Sequence, residues 1–129
     1  MIVVDASALT EVLLRGSDAS TIERLLASAG AIHGPHLLDL EVTQVLRRYA
    51  ARGLADPARC RQALDDLEKM GLRRHPHDHL LSRVWDLRHN LTAYDAVYVA
   101  LAEYLGAPLL TRDRRLAAAP GHFARIDLV

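Results

Sequence analysis

Short apolar runs alternate with amphipathic stretches along this chain. Ile2-Val3-Val4 is a β-branched run that predicts a buried strand, ended by Asp5. Ser7 is placed to cap a helix from Ala8 to Arg15, which Gly16 closes. Ser17 or Asp18 opens a second helix, Ala19 to Ala29, with Ile22, Leu25 and Leu26 on one face and Gly30 at its end. Ala31-Ile32-His33 reads as a weak strand and Gly34-Pro35 as a turn. From His36 to Arg52, residues Leu38, Val42, Val45, Leu46 and Tyr49 form an apolar stripe at helical spacing, stopped by Gly53. Asp56-Pro57 is a cap-then-proline start for a helix to about Met70, with Cys60, Leu64 and Leu67 inward. Gly71 to His75 predicts a short strand. Asp78 or the histidines before it open a helix to about His89 that carries Leu81, Val84 and Trp85.

The strongest pattern is Leu91 to Asp113, LTAYDAVYVALAEYLGAPLLTRD. Thr92 is a good N-cap, and Ala96, Val97, Ala100, Leu101 and Leu105 give a broad apolar face. Gly106 and Pro108 stop the helix, and Leu109-Leu110 predicts a buried strand. Its polar tip, Thr111-Arg112-Asp113, falls at the strand's carboxyl end. A short helix, Arg114 to Ala118, a turn at Pro120-Gly121 and a last strand, Ala124 to Leu128, complete the chain. Strands alternating with helices argue for a parallel sheet with helices on both faces.

At 129 residues the chain has the length of one domain, with enough material for one core. The formal net charge of +0 does not announce a nucleic-acid partner. Of the basic residues only Lys69 is lysine, and arginine suits bidentate phosphate contacts. Cys60 stands alone, which excludes an internal disulfide and a cysteine metal cluster. The amino terminus, MIVVDASAL, lacks a basic region and carries Asp5 within its apolar run, so it does not read as a signal peptide. No apolar run approaches membrane-spanning length, and a reducing cytoplasm is the expected compartment.

Four acids fall at strand ends or on the edges of apolar stripes: Asp5, Glu41, Asp95 and Asp113. Each has an ordinary structural reading. Asp5 ends a strand, and Glu41 has Arg48 or Arg74 for a partner. Asp95, three residues after Thr92, completes a capping box. Asp113 is an N-cap for the short helix that follows. A parallel sheet, however, puts Asp5 and the Thr111–Asp113 tip at the same edge, where ligands bind in open α/β sheets. Carboxylates gathered there resist ionising unless a cation joins them. Hard oxygen ligands suit Mg²⁺ or Mn²⁺, and phosphodiester hydrolysis is the natural reaction.

VVDASAL, the acid in LEVTQVLRR, the 91–113 unit with its T-x-D tip and the short last strand together resemble a PIN domain. More narrowly, they resemble a VapC-type toxin ribonuclease of a bacterial toxin–antitoxin pair. The resemblance covers nearly the whole chain. It implies a single PIN domain over residues 1–129, folded as a three-layer α/β/α sandwich with a central parallel sheet. Asp5, Glu41, Asp95 and Asp113 are then an acidic quartet for Mg²⁺ or Mn²⁺, supported by Ser7 and Thr111. It further implies cleavage of RNA, often transfer or ribosomal RNA, a homodimer, and inhibition by a cognate VapB-type antitoxin laid across the active-site groove. Leu9, Val12, Leu13, Leu25 and Leu26 are candidates for the docking surface. One departure is Gln44, which stands where the family often has Asn.

Other features compete for chemistry. His75-Pro76-His77-Asp78-His79 alternates histidines, but Pro76 breaks the geometry, and a polar loop with a helix cap is the expectation. Arg112, Arg114 and Arg115 flank Asp113 and are candidates to grip RNA phosphates; a solvated helix start is the alternative. Arg47, Arg48 and Arg52 share a helix with Glu41 and read as a solvated face. A metal-dependent endoribonuclease could be a toxin or a non-toxin RNA-processing nuclease; two other functions fit less well. A binding module that has lost catalysis would be expected to lack at least one acid. An aspartyl-phosphate protein needs a catalytic lysine, and Lys69 falls in a surface helix.

Overall fold

The computed structural model describes residues 1–129. Five strands run parallel: β1 (Ile2–Val4), β2 (Ile32–Pro35), β3 (Leu72–His75), β4 (Leu109–Thr111) and β5 (Ile126–Leu128). Their order across the sheet is β3-β2-β1-β4-β5. The helices are α1 (Ala6–Leu13), α2 (Ala19–Ala29), α3 (Leu37–Ala51), α4 (Pro57–Lys69), α5 (Leu81–Asp86), α6 (Ala93–Leu105) and α7 (Arg114–Ala118). Right-handed crossovers fix the layers. From β1 the chain steps outward to β2 and β3, which places α1 to α4 on one face. It then returns across the sheet to β4, placing α5 and α6 on the other. Helices α1 to α4 pack among themselves, while α6 lies against β1, β2 and β4. The result is a three-layer α/β/α sandwich.

The direction of stepping reverses at β1. The carboxyl ends of β1 and β4 therefore form a topological switch point, where helices on opposite faces diverge and leave a crevice. The paired residues Val3↔Leu109 and Val4↔Leu110 are fully buried beneath it, so the crevice has a rigid floor. Helix α6 is buried without interruption from Ala96 to Ala102, which fixes its amino-terminal turn against the same edge. Gly106 ends it at φ 61°, a left-handed conformation that glycine adopts without a Cβ clash.

The pattern reading differs from the structure at identifiable points. The first helix starts two residues early because Asp5, and not Ser7, caps it: its carboxylate accepts the Ala8 N–H at 3.0 Å. Gly34-Pro35 is not a turn but the end of β2. Pro35 sits beyond the residues that pair with β1, and a Cβ on Gly34 would collide with Leu38. Gly16 does not close α1 in a left-handed conformation; Arg15 takes the positive φ of 56°. The helix expected to reach His89 is a 3₁₀ turn, Asp78–Leu80, followed by α5, which ends at Asp86. Leu9, Val12, Leu13 and Leu26 are core residues and form no docking surface; of that set only Leu25 is exposed. No helix is long and apolar enough to cross a membrane.

His75 belongs to a histidine pair. Its Nε2 lies 2.8 Å from Nδ1 of buried His33, and the rings stack at 5.1 Å. Burial holds both imidazoles below the ordinary histidine range, with His75 and Arg73 adding repulsion at His33, and His79, His36 and Arg73 at His75. The unfolded chain therefore takes up more protons than the native one as pH falls below about 6.5. This stability is present above that value and is lost as pH falls toward the depressed native values. Urea midpoints should drop between pH 7.5 and 5, and His33→Gln should flatten the dependence. An unchanged slope in that variant would assign the acid sensitivity to other groups.

Candidate active site

Asp5 leaves β1 at the switch point and serves two elements at once. Its Oδ1 accepts the Ser7 hydroxyl at 2.7 Å and the Ala8 N–H at 3.0 Å. Its Oδ2 accepts the Thr111 hydroxyl, from the end of β4, at 2.5 Å. Both hydroxyls are themselves oriented, since Ser7 Oγ accepts the Arg112 N–H and Thr111 Oγ1 accepts the Asp113 N–H, each at 2.9 Å. Only 6% of Asp5 is exposed. Burial pushes its carboxyl above the usual aspartate range; the Thr111, Ala8 and Ser7 bonds oppose that shift, and the charge of Asp113 adds to it.

Glu41 projects from the first half of α3. It finds neither arginine offered by the ordinary reading, because Arg74 makes a two-pronged pair with Asp39 at 2.6 and 2.9 Å. Its Oε2 instead accepts the phenol of Tyr98 at 2.8 Å. Burial raises the Glu41 pKa; the Tyr98 bond opposes that shift, and Asp95 and Asp5 add repulsion. Asp95, in the first turn of α6, gives its backbone N–H to Thr92 Oγ1 at 3.2 Å. Its carboxyl is also raised, first by burial and then by Asp113, with Thr92 and Arg115 opposing. Asp113 does act as an N-cap: one oxygen accepts N–H groups of Arg115 at 2.8 Å and Leu116 at 3.3 Å.

Repulsion links the four acids in a ring: the charge of Asp113 bears on Asp5 and on Asp95, and the charges of Asp95 and Asp5 bear on Glu41. No three of them converge as a ready-made ligand cage. A full cage is not required of an Mg²⁺ ligand set, since that ion keeps several waters and uses only one or two carboxylates directly. An all-oxygen donor set under mutual repulsion is the chemistry such an ion relieves.

The basic residues divide. Arg112 donates to Glu11 Oε2 at 2.9 Å and Asp18 Oδ2 at 2.8 Å, so its guanidinium ties the β4 tip to α1 and to the start of α2. Asp18 returns its N–H to Glu11 Oε1 at 2.9 Å. Gly16 has no Cβ to collide with that Glu11 carboxylate. Arg114 and Arg115 are exposed, and Arg115 shares a recess of about 200 Å³ with Thr92 and Asp95. Beside Glu41 lies a groove of about 780 Å³ lined by Leu37, Gln44, Arg48 and Tyr94. Pattern reading missed Tyr98; the available signal was a tyrosine one helical turn after Asp95, inside an otherwise aliphatic buried stretch.

The molecule is an α/β protein with its acids grouped about the β1/β4 switch point. The PIN domain family model matches residues 2–121. Ribonuclease VapC1 of Mycobacterium tuberculosis is 44% identical over 128 residues, covering 98% of this chain and 96% of the relative. VapC ribonuclease Mb0985 of Mycobacterium bovis is 45% identical, covering 91% and 89%. The chain therefore belongs to the PIN domain family and, within it, to the VapC ribonucleases. Among solved structures, PAE2754 from Pyrobaculum aerophilum superposes with a TM-score of 0.72 at 28% identity, covering 98% of this chain and 83% of that one. The Mycobacterium tuberculosis VapC20 toxin, described as cleaving the sarcin-ricin loop, shares the fold at TM-score 0.69 and 19% identity, covering 92% and 94%. VapBC2 from Rickettsia felis shares it at TM-score 0.71 and 13% identity, covering 99% and 98%.

With its pKa raised, Asp95 stabilises the fold only while protonated, and that contribution is lost as pH rises through its native value. At neutral pH its charge is a cost. Asp95→Asn should therefore raise the melting midpoint by roughly 2–5 °C at pH 7.5 in EDTA. A lowered midpoint would show that the ring is not under repulsion.

Proposed function

We propose that this chain is an Mg²⁺- or Mn²⁺-dependent endoribonuclease, acting as one PIN domain and as the toxin of a VapBC-type toxin–antitoxin pair. The observation that carries this reading is the ring of four acids at the switch point, two of them with their oxygens held by hydroxyl donors from other elements. Asp5, Glu41, Asp95 and Asp113 would hold the metal, which supplies an activated water and neutralises charge on the phosphoryl group. The chain's own residues do the positioning. Ser7, Thr111 and the Ala8 N–H donate to Asp5 and so fix its direction, two on Oδ1 and one on Oδ2, which leaves acceptor capacity on Oδ2. One Asp113 oxygen is spent on the α7 cap, which leaves the other for the site.

An acidic ring repels a phosphate chain, so RNA must be attracted by neighbours. Exposed Arg114 and Arg115 fill that role, whereas Arg112 is held in its ion pairs. Transfer or ribosomal RNA is the expected substrate class, reached in the cytoplasm. A VapB-type antitoxin would dock in the groove of about 540 Å³ between α1, α3 and the start of α4, where Leu14, Val45, Tyr49 and Leu54 lie beside Arg48 and Arg59. This groove replaces the buried leucines as the docking surface. A homodimer would use the apolar recess of Leu37, Val84 and Val97, which also takes in exposed Leu81 and Tyr94. A catalytically dead binding module is disfavoured because no acid of the quartet is missing.

Asp95→Ala is the direct test, since the α6 cap bond to Thr92 Oγ1 comes from the Asp95 backbone N–H, which alanine retains. It should lower Mg²⁺-dependent cleavage of a structured RNA by at least about 10³-fold, with an unchanged circular dichroism spectrum. Expression of the unmodified chain alone should arrest bacterial growth, and Asp95→Ala should not. Cleavage retained in EDTA or in the variant would reject the metal-nuclease reading. Harmless expression of the active enzyme would reject the toxin role alone.

A further inference from the structure

Tyr98 is a buried tyrosine bonded to one acid of the ring. It is 1% exposed and lies three residues after Asp95 on the same face of α6. Its phenol donates to Glu41 Oε2 at 2.8 Å. Glu41 stands on α3, in the opposite helical layer, so this single bond spans the sandwich at the carboxyl edge of the sheet. We propose that Tyr98 is a positioning residue that sets where the Glu41 carboxylate stands in the acid ring. The proposal rests on the metal-nuclease reading above.

Hydrogen-bond donors distinguish Glu41 from its neighbours. Asp5 has three hydrogen-bond donors on its carboxylate, and Asp113 has two backbone N–H groups. Glu41 has one, and it comes from Tyr98. Glutamate has three side-chain torsions to fix, and Arg74 of β3 is already paired with Asp39. Without the phenol, repulsion from Asp5 and Asp95 would swing Glu41 out into the open groove beside it. The phenol suits the task because it only donates here. Desolvation among carboxylates drives its pKa far up, so it adds no charge of its own. An ordinary buried tyrosine also needs a hydrogen-bond acceptor. That role would make Tyr98 matter for stability and leave ion binding untouched, so the two roles separate experimentally.

Tyr98→Phe removes the hydroxyl and keeps the ring in the core. Mn²⁺ binding is read from the loss of the free-ion electron paramagnetic resonance signal, without RNA present. Loss of a group that orients a metal ligand typically weakens affinity by about 10–100-fold, and that loss is expected here. With RNA, kcat should fall while KM stays within about twofold of the unmodified chain, because substrate grip lies with the arginines. In a Glu41→Gln background the same substitution should cause no further loss of Mn²⁺ binding. Unchanged Mn²⁺ affinity in Tyr98→Phe overturns the proposal, as does an equal loss in the Glu41→Gln background. If the unmodified chain binds no Mn²⁺, the metal reading falls and this proposal falls with it.

Discussion

One carboxylate joins the fold to the chemistry. Asp5 ends β1, caps α1 through the Ala8 N–H and receives the Thr111 hydroxyl from β4. Loss of an N-cap alone costs about 0.5–2 kcal/mol, so part of its role is structural. Its burial, however, exceeds what a cap requires, and its charge is placed against Asp113 and Glu41. The sheet order makes this meeting unavoidable, because β1 and β4 are neighbours whose connecting helices leave in opposite directions. Helix capping, strand pairing and charge crowding therefore act on the same side chain.

Much of this was legible in the sequence because short apolar runs and glycine stops are local signals. The 91–113 unit reads correctly from its cap at Thr92 to the left-handed Gly106 and the strand beyond. Local signals mislead where tertiary packing decides. Ser7 is as good a cap by type as Asp5, and only the position of Thr111, 104 residues away along the chain, shows why Ser7 turns its hydroxyl toward Asp5. Gly34-Pro35 carries a turn signature, yet Leu38 packs where a Cβ on Gly34 would stand. The leucines of α1 form an apolar face, and spacing does not reveal whether a neighbour or a partner covers it. Tyr98 escaped notice because a tyrosine among aliphatic residues reads as core until its acceptor on α3 is seen.

The arginines illustrate the same limit in charge. Three of them flank Asp113 in sequence, but the fold assigns them different tasks. Arg112 is drawn under the β4 tip by Glu11 and Asp18 and works as a strut. Arg115 faces Asp95 and softens its repulsion. A site that must hold four carboxylates close together cannot sit in a uniformly basic surface without neutralising itself. It also cannot attract RNA unless positive charge stands nearby. Within four residues the fold separates a half-buried, ion-paired strut from two exposed neighbours.

We propose that the acid ring is under repulsion that a divalent ion relieves. Carboxyl ¹³C chemical shifts, followed against pH with and without Mg²⁺, measure this directly. The account predicts that Asp5, Glu41 and Asp95 titrate above the usual carboxylate range in EDTA and that Mg²⁺ lowers all three. Ordinary pKa values in EDTA that do not respond to Mg²⁺ would contradict it.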